Sequence, residues 1–192
     1  MRTRHFWLVS GVIFMMALVP GFGCGSGGET DGGIADGGMD AGAGMDCSFD
    51  AGYCVDLNTG YWWQNQHEQY MKWLDGVNYC TNLQLGGKQW HLPTISELRS
   101  LIRDCRLMQT DGKCSVTDGC LIDLCDLYCV GCSDTGSCYW DRNLSWYCTE
   151  YISSSTNNTY SNTAWSIDYK SAGLYSENKG SIKAVRCVYT GH

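Results

Sequence analysis

The side chains with the greatest chemical reach in this chain are its 13 cysteines, and two chemistries compete for them. As thiolates they could hold zinc, and Cys129 with Cys132 forms one Cys-x-x-Cys pair of the spacing such sites use. As oxidised sulfur they would cross-link a protein that has left the reducing cytosol. One pair is thin support for a metal, so disulfides are the expectation, with no metal and no cofactor. The run Cys105, Cys114, Cys120, Cys125, Cys129, Cys132, Cys138 and Cys148 marks a stapled loop, and Cys47 with Cys54 could close a small one ahead of it. Connectivity within the cluster stays open.

Catalytic chemistry finds less to work with. His5 falls in the leader, which leaves His67, His91 and His192. His91 sits beside Trp90 just before a helix start, a position where packing accounts for an imidazole. Ser153 to Ser155 lack a Gly-x-Ser-x-Gly elbow, and their polar repetition fits a strand edge or turn. Paired cysteines offer no thiolate nucleophile. The chain therefore reads as non-catalytic.

Binding is better supplied. Tyr139, Trp140, Trp146 and Tyr147 bracket Asp141, Arg142 and Asn143, combining aromatic faces with a few polar groups, the mixture a sugar ring needs. Tyr139, Trp140, Asp141, Asn143 and Trp146 are accordingly the ligand-binding candidates. The competing reading places Trp62, Trp90 and Trp165 in the core and lets Trp140 and Trp146 merely brace the insertion. A calcium-dependent sugar loop is not expected, because Pro93 alone follows the leader and it lies in Leu-Pro-Thr.

These side chains need elements to hold them. Arg2 and Arg4 precede an apolar run from Phe6 to Val19, too short to span a membrane comfortably and shaped like a secretory leader over residues 1–23. Cys24 follows small residues, as at a bacterial lipoprotein cleavage site, and would carry the lipid; its loss from the thiol pool leaves an even number of cysteines to pair. Residues 24–46, rich in Gly, Asp and Ala, read as a flexible tether, and 47–58 as a short Cys-containing lead-in. A helix is expected from Tyr70 to Leu83, where Trp73, Val77 and Cys80 share a face, with Gly76 as an interruption. Thr94 and Glu97 form the two ends of a capping box for a second helix whose buried stripe is Leu98, Leu101, Ile102 and Cys105. Gly60 to Gln64 reads as a strand edge or a turn into a strand. Ala164 to Tyr169 alternates like a half-buried strand, and two more follow at Leu174-Tyr175 and Val185 to Tyr189, joined by a polar turn at Asn178 to Gly180.

Several of these blocks occur in a known order. Trp62-Trp63-Gln64, the run from Met71 to Ile102, Tyr151 to Thr156, Ala164 to Asp168 and Val185 to Val188 resemble the Lcl C-terminal domain family, named after part of a Legionella collagen-like adhesin. The resemblance covers about Thr59 to Tyr189, and the domain is assigned to residues 59–190 with a Cys-rich insertion at about 105–148. Two departures stand out: Ile152 replaces an aromatic before the serine run, and the insertion itself is extra. The resemblance implies an α+β, C-type-lectin-like fold, with two helices flanking a small, mostly antiparallel sheet. It also implies a disulfide from the first helix to the last strand, here Cys80 to Cys187.

By the same resemblance the chain would be an adhesin-like binding module. The likeness of its N-terminus to a lipoprotein, with Gly25 and not an aspartate after Cys24, implies tethering to the cell envelope at the outer membrane or, failing lipidation, secretion. The naming adhesin favours sulfated glycosaminoglycans, but the net charge of −7 opposes such polymers and equally opposes nucleic acid. A neutral glycan or an extracellular protein suits this charge better, and the membrane is touched only through the lipid. The alternative is a structural envelope module that makes protein–protein contacts and has no sugar site.

Overall fold

The computed structural model describes residues 44–48, 51–66, 69–144 and 147–191. The expected leader, lipid-bearing Cys24 and nearly all of the tether lie outside the described residues, as do His67, Trp146 and His192. In chain order the elements are β1 (Met45–Ser48), β2 (Tyr53–Asp56), β3 (Trp62–Gln64), β4 (Gln69–Met71), α1 (Trp73–Thr81) and α2 (Ile95–Ser100). A 3₁₀ helix (Asp123–Tyr128) follows, then β5 (Glu150–Thr156), β6 (Thr163–Asp168), β7 (Gly173–Asn178), β8 (Lys183–Val185) and β9 (Val188–Tyr189).

The fold is α+β, but two sheets stand where one small sheet was expected. One has the order β1-β2-β3-β9 and the other β4-β8-β5-β6-β7. Every strand pair is antiparallel except β5 with β8, which meet at Tyr151 and Ala184. The expected lead-in at 47–58 is no appendage: it forms the β1–β2 hairpin, closed by Cys47–Cys54, and β2 pairs with β3. Among the described residues no helix is long and apolar enough to cross a membrane.

Alternate residues of the five-stranded sheet feed two cores. Tyr151, Trp165, Ile167 and Ala184 join Ile95 and Leu98 of α2. Ile152, Ala164 and Val185 join Cys80 of α1, together with Trp90, Leu92 and Cys187. Because both sets are covered, β6 is buried from Ala164 through Ile167 and does not alternate as a half-buried strand would.

The helices are shorter than their apolar patterns suggest. Tyr70 and Met71 pair with Ala184 and Lys183, so strand pairing takes the residues that periodicity gave to α1. Gly76 is no flaw in that helix, since a Cβ there would lie 2.9 Å from Cγ2 of Val185; its absence lets α1 approach β8. At α2 the capping box forms as its residues require: Thr94 Oγ1 accepts from Glu97 N at 3.2 Å, and Glu97 accepts from Thr94 N at 2.7 Å. This helix stops after Ser100, where Arg103 donates to the Ser100 carbonyl at 2.6 Å and Asp104 turns into left-handed backbone at φ 60°. Leu101, Ile102 and Cys105 stay buried without being helical.

The serine run is not an edge. β5 lies between β8 and β6, and a register shift between Ile152 and Thr156 releases its serines toward the start of α2. Ser155 Oγ accepts from Ile95 N at 2.9 Å, satisfying a donor the helix leaves open, and Ser154 N donates to the Pro93 carbonyl at 2.7 Å. The segment from Val185 to Tyr189 likewise breaks into β8 and β9, one in each sheet, so it links the two.

Candidate functional site

The loop after α1 is built from its own backbone requirements. Asn82 caps the helix, its side-chain amide donating to the Asn78 carbonyl at 2.7 Å. Gly86 and Gly87 follow with φ of 57° and 66°, left-handed backbone that a side chain would strain. The Trp90 indole donates to the Leu85 carbonyl at 2.8 Å and pins the loop from within. His91 and Val188 exchange backbone hydrogen bonds at 2.9 and 3.0 Å, which docks the loop's far end onto β9. Cys80–Cys187 then ties the helix to the same terminal segment, with Cα atoms 5.3 Å apart.

Two neighbouring concavities result. One, of about 570 Å³, is lined by Thr81, Leu83, Gln84, Lys88, Gln89, Trp90 and His91. The other, of about 440 Å³, shares Leu83 and Gln84 and adds Asp75, Asn78, Tyr79 and Asn82. Exposed amides alternate here with partly buried aromatic and aliphatic surface.

Lys88 joins the first concavity to an aromatic ledge. On the four-stranded sheet Tyr53 stacks on Trp62 at 4.6 Å between centroids, and Tyr189 meets Trp62 edge-on at 5.9 Å. The three come from β2, β3 and β9, adjacent strands whose side chains emerge on one face, and all three are half-buried. The Lys88 ammonium lies 4.5 Å over Trp62 and 5.1 Å from the Tyr189 centroid. Lys88 is half-buried, and cation–π contacts near a surface hold a lysine by only about 0.5–1 kcal/mol, so a ligand can displace it. His91 is committed elsewhere: its Nε2 is 3.0 Å from Glu97 Oε1, beside the cap of α2.

The residues singled out from sequence are distributed differently. Tyr139 and Trp140 are only 7 % and 4 % exposed, so neither presents a face to a ligand. The Trp140 ring lies 4.6 Å from Tyr169 and 5.4 Å from Tyr151, with the Arg186 guanidinium 4.9 Å above it. Burying that much ring against a cation and two further rings stabilises more than an open ligand platform would. The Tyr139 hydroxyl donates to the Ser133 carbonyl at 2.6 Å. Asp141 clamps the hairpin, accepting from Met45 N at 3.0 Å and Asn143 N at 2.9 Å, while the Asn143 amide reaches the Met45 carbonyl at 3.4 Å. Trp146 lies outside the described residues, and Tyr147 is 70 % exposed. These residues mostly hold the insertion and β1 in place. The signal for the α1 loop was present in Gln84-Leu-Gly-Gly-Lys-Gln-Trp90, amides interleaved with an aromatic, but a linear pattern does not show that Tyr53, Trp62 and Tyr189 gather beside it.

The insertion is fastened by Cys105–Cys132, Cys114–Cys129, Cys120–Cys125 and Cys138–Cys148. Arg99, 1 % exposed, binds it from α2: its guanidinium donates to the carbonyls of Met108, Gln109 and Val116 at 3.1, 2.6 and 2.7 Å. Burial pulls the Arg99 pKa below its ordinary value, yet the group meets three carbonyl dipoles and no carboxylate among the described residues.

A family model described as the Lcl C-terminal domain matches residues 52–189. That range takes in the β2–β3 ledge, both α1 concavities and the whole insertion. No curated protein matches the chain.

Proposed function

The chain belongs to the Lcl C-terminal domain family, and from that premise we propose an adhesin-like, non-catalytic surface module that binds neutral glycan at the α1 loop. In this reading the domain is C-type-lectin-like, leaves the cytosol behind a cleaved leader, and is held to the outer membrane by lipid on Cys24. The supporting observation is the pair of concavities lined by Gln84, Gln89, Asn78, Asn82 and Thr81, continuous through Lys88 with the Tyr53–Trp62–Tyr189 ledge. A pyranose presents an apolar C–H face and a rim of hydroxyls; aromatic rings suit the first and side-chain amides the second. The net charge of −7 turns the preference toward uncharged sugars and away from sulfated ones.

Gln84 and Gln89 are both exposed, so replacing them leaves the core intact. On a glycan array with the oxidised chain, neutral oligosaccharides should bind. Gln84→Ala with Gln89→Ala should weaken that binding about tenfold, the equivalent of two neutral hydrogen bonds. Silence across neutral glycans, or an unchanged affinity in the double variant, defeats this reading and leaves a module for protein contacts alone.

A further inference from the structure

The insertion carries a surface that neither the fold nor the glycan reading uses. From Ser115 to Cys138 the chain has four aspartates and no Lys, Arg or His. Within that stretch Ile122, Leu124, Leu127, Tyr128 and Val130 are 41–69 % exposed. The 3₁₀ helix explains the display, because side chains three apart eclipse, so Leu124 and Leu127 stand on one edge while Cys125 turns inward to Cys120.

The backbone beneath this ridge is fixed. Cys120–Cys125 and Cys114–Cys129 bracket it, and Leu121 accepts hydrogen bonds from Asn158 N at 2.7 Å and the Trp165 indole at 3.3 Å. Buried Asn157 donates to Asp123 at 2.6 Å, and Asp123 N donates to Thr159 at 3.0 Å. Several large apolar side chains held in water on a fixed backbone within nine residues are the mark of a surface that another molecule covers, and the fixed backbone lowers the entropic cost of covering it.

We propose that this ridge docks a second protein through a segment whose apolar residues are flanked by lysine or arginine. Charge selects the occupant. Asp123 and Asp126 lie in the ridge's own helix, and Asp118 and Asp134 precede and follow it in the chain. The fold brings Lys113, next to Cys114–Cys129, and Lys170, next to the Ser171 carbonyl that accepts from Cys132 N, near the ridge's end, and the acids outnumber these two bases. Burial, then the neighbouring Asp123 carboxylate, raises the Asp126 pKa, a conflict that an arriving cation would relieve. A second copy of this chain would bring acid against acid, and an anionic lipid surface would be repelled in the same way.

The test uses the full oxidised chain and two synthetic amphipathic peptides of identical apolar content, one flanked by lysines and the other by glutamates. Fluorescence anisotropy should show the lysine peptide binding at least about tenfold more tightly, with the advantage shrinking as salt rises. Leu124→Ser with Leu127→Ser, both on exposed side chains, should abolish that binding, and Asp126→Asn should weaken it. Equal binding of the two peptides, or of the lysine peptide to the leucine variant, overturns the proposal. So does self-association, or binding to anionic vesicles, that the leucine variant removes. The ridge shares no residue with the α1 concavities, so the outcome is independent of the glycan result.

Discussion

Two arginines serve as core residues. Arg99 spends its donors on three carbonyls of the insertion, and Arg186, 3 % exposed, donates to the Gln64 carbonyl at 2.6 Å while roofing Trp140 and Tyr151. Guanidinium can do this because it is planar and multiply donating; lysine in either place would leave carbonyls unsatisfied. No pattern in the sequence marks these two, since an arginine in a helix or strand ordinarily reads as a surface charge. Lys183 and Tyr169 both hold pKa values raised above their ordinary range. Burial lowers the Lys183 pKa, but the carboxylates of Glu150 and Glu177 outweigh it and hold the net value above the ordinary 10.5. Burial likewise raises Tyr169 well above its ordinary 10.0, its hydroxyl donating to the Leu98 carbonyl at 2.7 Å. Both groups hold their protons more tightly in the folded chain than in the open one. Their contribution is therefore complete below about pH 10 and is lost as pH rises through the folded values. Thermal melts from pH 8 to 11.5 should be flat and then fall steeply, with tyrosinate absorbance from Tyr169 appearing only as the fold opens. A Lys183→Met variant should show a shallower fall, and an unchanged profile in that variant would contradict this assignment.

At the level of elements, local signals and tertiary demands divide the work. The capping box of α2 was legible because both partners lie within one turn. The ends of α1 were not, since β4 gains more from pairing with β8 than Tyr70 and Met71 would gain from helix. Gly76 shows the same conflict at one position. Alanine there would raise helix propensity by about 1 kcal/mol, yet its Cβ would press on Val185, buried in β8, at an overpacking cost of about 1–3 kcal/mol. Gly76→Ala should therefore lower the urea midpoint, and should lower it less in a Val185→Ala background than in the parent chain; a stabilised single variant would mean that α1 shifts freely on the sheet. The serine run in β5 was misread for a related reason. A polar strand suggests solvent, whereas here the Ser155 hydroxyl serves an open donor of the helix that a bulge brings alongside, and the buried Ser153 hydroxyl donates to the Trp165 carbonyl.

Over the whole molecule, closure depends on sulfur linking distant segments. Cys80 and Cys187 are separated by 107 positions, and by the chain-entropy argument such a bond stabilises by about 4–5 kcal/mol. Replacing both with serine should lower stability by that order in denaturant titration, while the His91–Val188 bridge and the β3–β9 pair keep the site partly assembled. A loss below about 1 kcal/mol would show that strand pairing alone holds the ends. The amino-acid sequence by itself determined the oxidised chemistry, the α+β class, the capping box and the family, because each is written in residue types or in spacings of a few positions. Only the tertiary structure decided that Trp140 is core, that Arg99 anchors the insertion, and that Tyr53, Trp62 and Tyr189 form a ledge beside Lys88. Those depend on which strands become neighbours, a choice made by mutual burial across long stretches of chain, and local spacing carries no record of it.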